Sequence, residues 1–149
     1  MDFQRRSLQL LQVTSRIGNE IHVPKEFAAE DNGAVWKFSE GNVHITIETN
    51  TLEGSPDPDD FFEASLRNFV GDLSTVAAND FLDDQLCEAG VLRKSSLLPQ
   101  CPQNNEDTWL LYIIVTEQFM HTIQLQTTMS TLALSESFFD AIVASFRGI

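Results

Sequence analysis

A chain of 149 residues, 42% of them hydrophobic, has the length of one domain and can bury a core without disulfides or a metal. Nine basic against 22 acidic side chains give a formal charge of -13, which repels nucleic-acid phosphates and anionic membrane surfaces. That charge suits a basic partner patch, although acidity of this kind serves solubility more often than it identifies a partner.

The early segment Ser7–Val13 is too short and too polar for the apolar core of a signal peptide, and no run approaches the ~18 apolar residues of a membrane span. The expectation is a cytoplasmic protein. Leu8, Leu10 and Gln12 alternate with Gln9, Leu11 and Val13 as a first strand. Gly18-Asn19 is a turn signal, and Glu20–Val23 is a second strand that stops at Pro24. Lys25–Gly33 reads as a surface loop. Val35–Phe38 and Val43–Thr49 flank the four residues Ser39–Asn42, a turn. In the second of these strands Val43, Ile45 and Ile47 face one way, and His44, Thr46 and Glu48 the other, so one face of that sheet should meet water.

Asp57 is an N-cap candidate, with Pro58 at the first helical position and Asp59 and Asp60 near the positive end of a helix. Phe62, Leu66, Phe69 and Leu73 follow at helical spacing, and Phe61 and Val70 broaden the stripe, so the first helix spans about Pro58 to Leu73. Asn79–Gly90 is acidic and mixed, a loop with a short helical turn. Val91–Leu98 is compatible with a strand, and Pro99–Asp107 is a polar loop. Thr108–Val115 is apolar at both parities, the mark of an inner strand covered on both faces. After Glu117 and Gln118 a further strand, Phe119–Met129, places Phe119, His121, Ile123 and Leu125 on one face. Thr122, Gln124, Gln126 and Thr128 share the other. Ser135 opens a closing helix striped by Phe138, Phe139, Ile142, Val143 and Phe146. Strands paired as hairpins with helices set apart imply an α+β fold: an antiparallel-rich twisted sheet of about six or seven strands with two main helices against it, in a single domain spanning residues 1–149.

The chemistry-bearing residues point away from catalysis. No nucleophile elbow, dinucleotide glycine pattern or phosphate loop is present among the seven glycines. Cys87 and Cys101 lack zinc spacing, and they are either a disulfide pair or ordinary free thiols. His22, His44 and His121 lie on three separate strands. A metal site would need them to converge with a carboxylate, and His121, sharing a face with Phe119 and Ile123, reads as a satisfied core histidine. Asp57, Asp59, Asp60 and Glu63 lack the spacing and glycine of a calcium loop and make sense as a helix start. Between Glu48 and Glu88 the one basic residue is Arg67, which leaves either an acidic docking face or a solvated rim. Arg5, Arg6 and Arg16 cluster near the start, which suggests an electrically lopsided molecule, a basis for self-association head to tail or as a homodimer. Most phenylalanines of the two helices must be core. Phe61 and Phe139, at the margins of their stripes, are the exposed pair, and Trp109 is expected to be buried.

Ile21-His-Val-Pro24 with Phe27, the hairpin Phe38–Thr49, the helix Asp59–Leu73 and the closing Ile142-Val-Ala-Ser-Phe146 stand in this order along the chain. With the order of elements, they resemble the superfamily shared by the photosystem II extrinsic protein PsbP, the Ran-binding Mog-type proteins and a bacterial branch that includes type VI secretion effector-associated chaperones. Phe27 stands where that family usually has a tryptophan, and a long first strand precedes it. The resemblance implies a protein-binding or chaperone-like role, and it supplies no catalytic residues, cofactor or metal.

The expected function is therefore a non-enzymatic protein-binding domain, an adaptor or secretion-associated chaperone whose partner is a protein, a secreted effector among the candidates. The partner-binding residues are His44, Thr46, Glu48, Gln124, Gln126 and Thr128 on the sheet face without apolar cover, with Phe61 and Phe139. A rival reading is a small-ligand pocket or weak enzyme, in which His121 and Tyr112 converge inside. A third keeps the binding role on the fold of the small acidic type III secretion chaperones, which usually start with a helix.

Overall fold

The structure is a computed structural model that describes residues 10–51, 60, 64, 67, 75–78, 85–87, 90–99, 107–116 and 118–149. Ten strands and one complete helix lie within them: β1 (Leu10–Thr14), β2 (Glu20–Pro24), β3 (Ala28–Asp31), β4 (Val35–Glu40), β5 (Val43–Thr51), β6 (Thr75–Ala78), β7 (Gln85–Cys87), β8 (Gly90–Pro99), β9 (Asp107–Val115), β10 (Phe119–Thr128) and α1 (Met129–Ala144). β1 and β2 form a separate hairpin. The other eight strands form one antiparallel sheet in the order β3-β4-β5-β10-β9-β8-β6, with β7 also paired to β8. An antiparallel α+β architecture is thus as expected, and the sheet is seven strands across, β6 and β7 pairing with different stretches of one edge of β8.

Local sequence accounts for most of these elements. The β4–β5 hairpin closes through Gly41 and Asn42 with Glu40 opposite Val43, tighter than a four-residue turn. Gly41 takes φ 58°, the left-handed conformation that tight hairpin loops require and glycine adopts without steric cost. β9 lies inside the sheet, and Leu110 to Ile114 are all buried although alternate residues point to opposite faces. The double-parity apolar run therefore marked an inner strand.

Three expectations change. The loop expected at Lys25–Gly33 contains β3, an edge strand paired with β4 from Ala28↔Ser39 to Asp31↔Trp36. Within Asn79–Gly90, Gln85–Cys87 is a strand paired with β8, not a helical turn. The closing helix starts at Met129, six residues before Ser135. Thr128 is its N-cap, accepting from the Thr131 N–H, and Ser135 is buried inside the helix. Asn42 also donates from Nδ2 to the hydroxyls of Thr128 (3.3 Å) and Thr131 (3.1 Å), so the β4–β5 turn ties down the start of α1. Of the first helix expected at Pro58–Leu73, Asp60, Ala64 and Arg67 are helical and exposed. The other residues of that segment, Phe61 included, lie outside the described ones, so only one helix is established in full.

The core sits between the inner sheet face and α1. Trp36 and Phe38 from β4, Val43, Ile45 and Ile47 from β5, Leu110, Tyr112 and Ile114 from β9, and Ile123 and Leu125 from β10 meet Leu132, Phe139, Ile142 and Val143 of the helix. Ile21 and Val23 bring the β1–β2 hairpin into the same core. With Met129 as its first residue, α1 turns Phe139 to full burial and leaves Phe138 half-buried at the stripe's margin. Phe139 is therefore not a surface anchor. Trp109 is half-buried where full burial was expected.

Candidate functional site

The outer face of the sheet is built by register. Gln126 on β10 pairs with His44 on β5, and Gln124 with Thr46. His44 in turn lies opposite Ser39 of β4, and Thr46 opposite Lys37. Ser39 pairs with Ala28 and Lys37 with Glu30 on β3. Opposed residues in an antiparallel pair share a face. Two transverse rows result, Ala28-Ser39-His44-Gln126 and Glu30-Lys37-Thr46-Gln124. The alternation in Val43–Thr49 and Phe119–Thr128 had assigned the β5 and β10 members to one surface, and the structure brings His44, Thr46, Gln124 and Gln126 together there. Glu48 is exposed on the same face, in the next row opposite Thr122. Thr128 is engaged otherwise, as the cap of α1.

Over these rows lies an open trough of about 510 Å³, lined among others by Ala28, Glu30, Lys37, Ser39, His44, Thr46 and Gln126. Sequence reasoning missed Ala28, Glu30 and Lys37, because β3 was taken for a loop and its register with β4 was not anticipated. The outer face is not uniformly wet. Further along the sheet Leu111 and Ile113 of β9, which also point outward, are buried.

The two residues of the rival pocket are tied to different partners. Tyr112 and His121 both point inward, but the Tyr112 hydroxyl donates to Asp140 Oδ1 of α1 at 2.6 Å. Burial, and then the Asp140 carboxylate beside it, push that phenol well above its usual value of 10.0. His121 is fully buried. Its Nδ1 lies 2.9 Å from the Thr49 hydroxyl, and its Nε2 lies 3.4 Å from the main-chain oxygen of Ile149. Burial lowers its pKa from 6.5, with the Ile149 contact opposing that shift. His121 is thus the satisfied core histidine that its face suggested. His22 and His44 are exposed. No group of three metal-ligating side chains occurs among the described residues, and none of their helices is long and apolar enough to cross a membrane. The Cys87 side chain and Cys101 lie outside the described residues.

No protein-family profile and no curated protein matches the chain. Solved structures do. The solution structure of cyanobacterial PsbP from Synechocystis superposes with a TM-score of 0.70 at 13% identity, over 97% of this chain and 95% of that one. A Mog1 mutant gives 0.67 at 9% identity over 94% and 96%. LpqN of Mycobacterium tuberculosis, a protein involved in cell envelope biogenesis, gives 0.52 at 13% identity over 97% and 92%. The chain has the PsbP/Mog-like fold.

Proposed function

We propose that this is a non-enzymatic protein-binding domain whose docking surface is the outer face of β3, β4, β5 and β10. One observation carries the reading: four adjacent strands present polar side chains in register around an open trough, while the other face of β4, β5 and β10 is core. An open trough at a sheet edge suits a partner's side chains better than it suits sequestering a reaction from water. Neither inward-facing titratable residue borders it. The acidic chain favours a partner with a basic surface, whose approach it would accelerate. An adaptor or secretion-associated chaperone in the cytoplasm is the finer reading. It rests on the fold likeness and on the expectations from sequence.

The test is site-specific photo-crosslinking in the native cell. A probe at Thr46 or Gln126 should give a discrete protein adduct, and one at Ala133, exposed on α1, should not. Adducts that form equally at all three positions, or at none, would remove the outer face as the docking surface.

A further inference from the structure

His121 lies at the centre of a closed polar network that joins three distant parts of the chain. Asn19, in the β1–β2 turn, donates from Nδ2 to Thr49 Oγ1 at 2.9 Å. Thr49, near the end of β5, is 2.9 Å from His121 Nδ1. The main-chain oxygen of Ile149 lies 3.4 Å from His121 Nε2 and accepts from the Thr116 hydroxyl at 2.8 Å. The Ile149 N–H donates back to Asn19 Oδ1 at 3.0 Å, which completes the ring. Phe146 packs edge-on against the imidazole with ring centres 5.0 Å apart. Gly148 lies so close that a Cβ there would run into the imidazole.

Only one protonation state satisfies this arrangement. The Ile149 oxygen can only accept, so the neutral ring carries its proton on Nε2, and Nδ1 accepts from the Thr49 hydroxyl, whose oxygen accepts from Asn19. A second proton on Nδ1 would face the Thr49 oxygen and force its hydroxyl proton to find another acceptor. It would also leave a cation in a fully buried position. Ionisable groups on the packed elements are Glu20 and His22 on β2, Arg147 beside them, His44 and Glu48 on the outer face of β5, Asp107 and Tyr112 on β9, and Glu136 and Asp140 on α1. None of them contributes to the shift of His121, whereas Glu136 and Asp140 act on Tyr112.

The segment that covers His121 also anchors the first hairpin. Glu20 and Arg147 exchange main-chain hydrogen bonds at 2.9 and 2.8 Å, and the His22 N–H donates to Ser145 Oγ at 2.9 Å. A further tie runs from the Arg16 N–H to Asp31 Oδ2 at 2.7 Å. We propose that the His121–Thr49–Asn19–Ile149 ring is an acid-released clasp, which on protonation of His121 lets residues 145–149 and the β1–β2 hairpin open together while the central sheet stays folded. The sign follows from the direction of the shift. A base whose folded pKa is lowered stabilises the closed form fully above the ordinary imidazole value of about 6.5, and progressively less as pH falls below it towards the folded value.

Amide hydrogen exchange of the full chain at about pH 7.5 and about pH 5, corrected for intrinsic rates, tests this on both sides of that value. Protection at Glu20–His22 and Arg147–Ile149 should fall about tenfold per pH unit through the titration, while β9 and β10 keep theirs. His121→Gln should abolish the dependence, and the double variant His22→Gln/His44→Gln should retain it. An NMR titration of the wild-type imidazoles provides the second readout. His121 must titrate below the ordinary imidazole value of about 6.5, with protection falling above that titration and levelling off below it, and this decides the matter even if His121→Gln does not fold. Parallel loss across all strands, a dependence that survives in His121→Gln, or titration of His121 without a change in exchange would each overturn the clasp.

Discussion

Tyr112 is the one tyrosine of the chain, which makes its buried contact with Asp140 directly observable. Its raised pKa means that the folded state favours the neutral phenol. That contribution is complete below the ordinary value of 10.0 and is lost as pH rises towards the folded value, because the unfolded chain ionises first. Tyrosinate absorbance should therefore appear together with alkaline unfolding and not before it. Tyr112→Phe should cost about 1–2 kcal/mol at neutral pH, chiefly because its hydrogen bond to Asp140 is lost, and should flatten the alkaline limb of the stability curve. Gly148 makes a second prediction at this scale. Replacing glycine with alanine commonly stabilises a chain by restricting its unfolded state. Here the new methyl would meet the His121 ring, so Gly148→Ala should destabilise by roughly 1–3 kcal/mol in urea titration. Single residues were legible where their strand's alternation decided their environment. His121, flanked on its face by Phe119 and Ile123, is the example. Its partners were not, because Thr49 and Ile149 lie far away in sequence and reach it only through the register of β5 with β10 and the return of the chain after α1.

At the scale of elements, strong periodicity held and weak propensity failed. β5, β9 and β10 stood out by alternation or by a double-parity apolar run. β3 is Ala-Ala-Glu-Asp, residue types that strands disfavour, and it exists because β4 offers it a hydrogen-bonding edge. The start of α1 was misplaced because Ser135 with Glu136 looks like a helix start, whereas Thr128, still at the end of β10, carries the cap and the first turn has no acidic residue to announce it. Two substitutions separate these alternatives. Thr128→Ala should cost about 1 kcal/mol, as the loss of an N-cap does. Ser135→Ala should be neutral or stabilising, since the buried Ser135 hydroxyl has no hydrogen-bond partner among the described residues and an N-cap serine would behave in the opposite way. Phe139→Ala, at a fully buried position facing the sheet, should cost about 3–5 kcal/mol in equilibrium unfolding. An exposed anchor would cost a fraction of that.

For the molecule as a whole, one sheet serves two solvents. Its inner face is sealed by α1 and the β1–β2 hairpin. Its outer face is polar over β3, β4, β5 and β10, and dry again at Leu111 and Ile113 of β9. Strands four to ten residues long carry both faces, so neighbouring positions on one strand should differ sharply in what they tolerate. Ile47→Ala on β5 should cost about 2–5 kcal/mol by opening a cavity in the core. His44→Ala, Thr46→Ala and Gln126→Ala should each stay within about 0.5 kcal/mol, because their side chains make no contact that the fold needs. If the outer face is the docking surface, the triple variant keeps its midpoint in thermal unfolding and loses the crosslinked partner. If those side chains instead maintain the curvature of the sheet, stability and partner fall together. The separation of stability from binding on alternate residues of one strand is the physical signature of a surface kept for recognition.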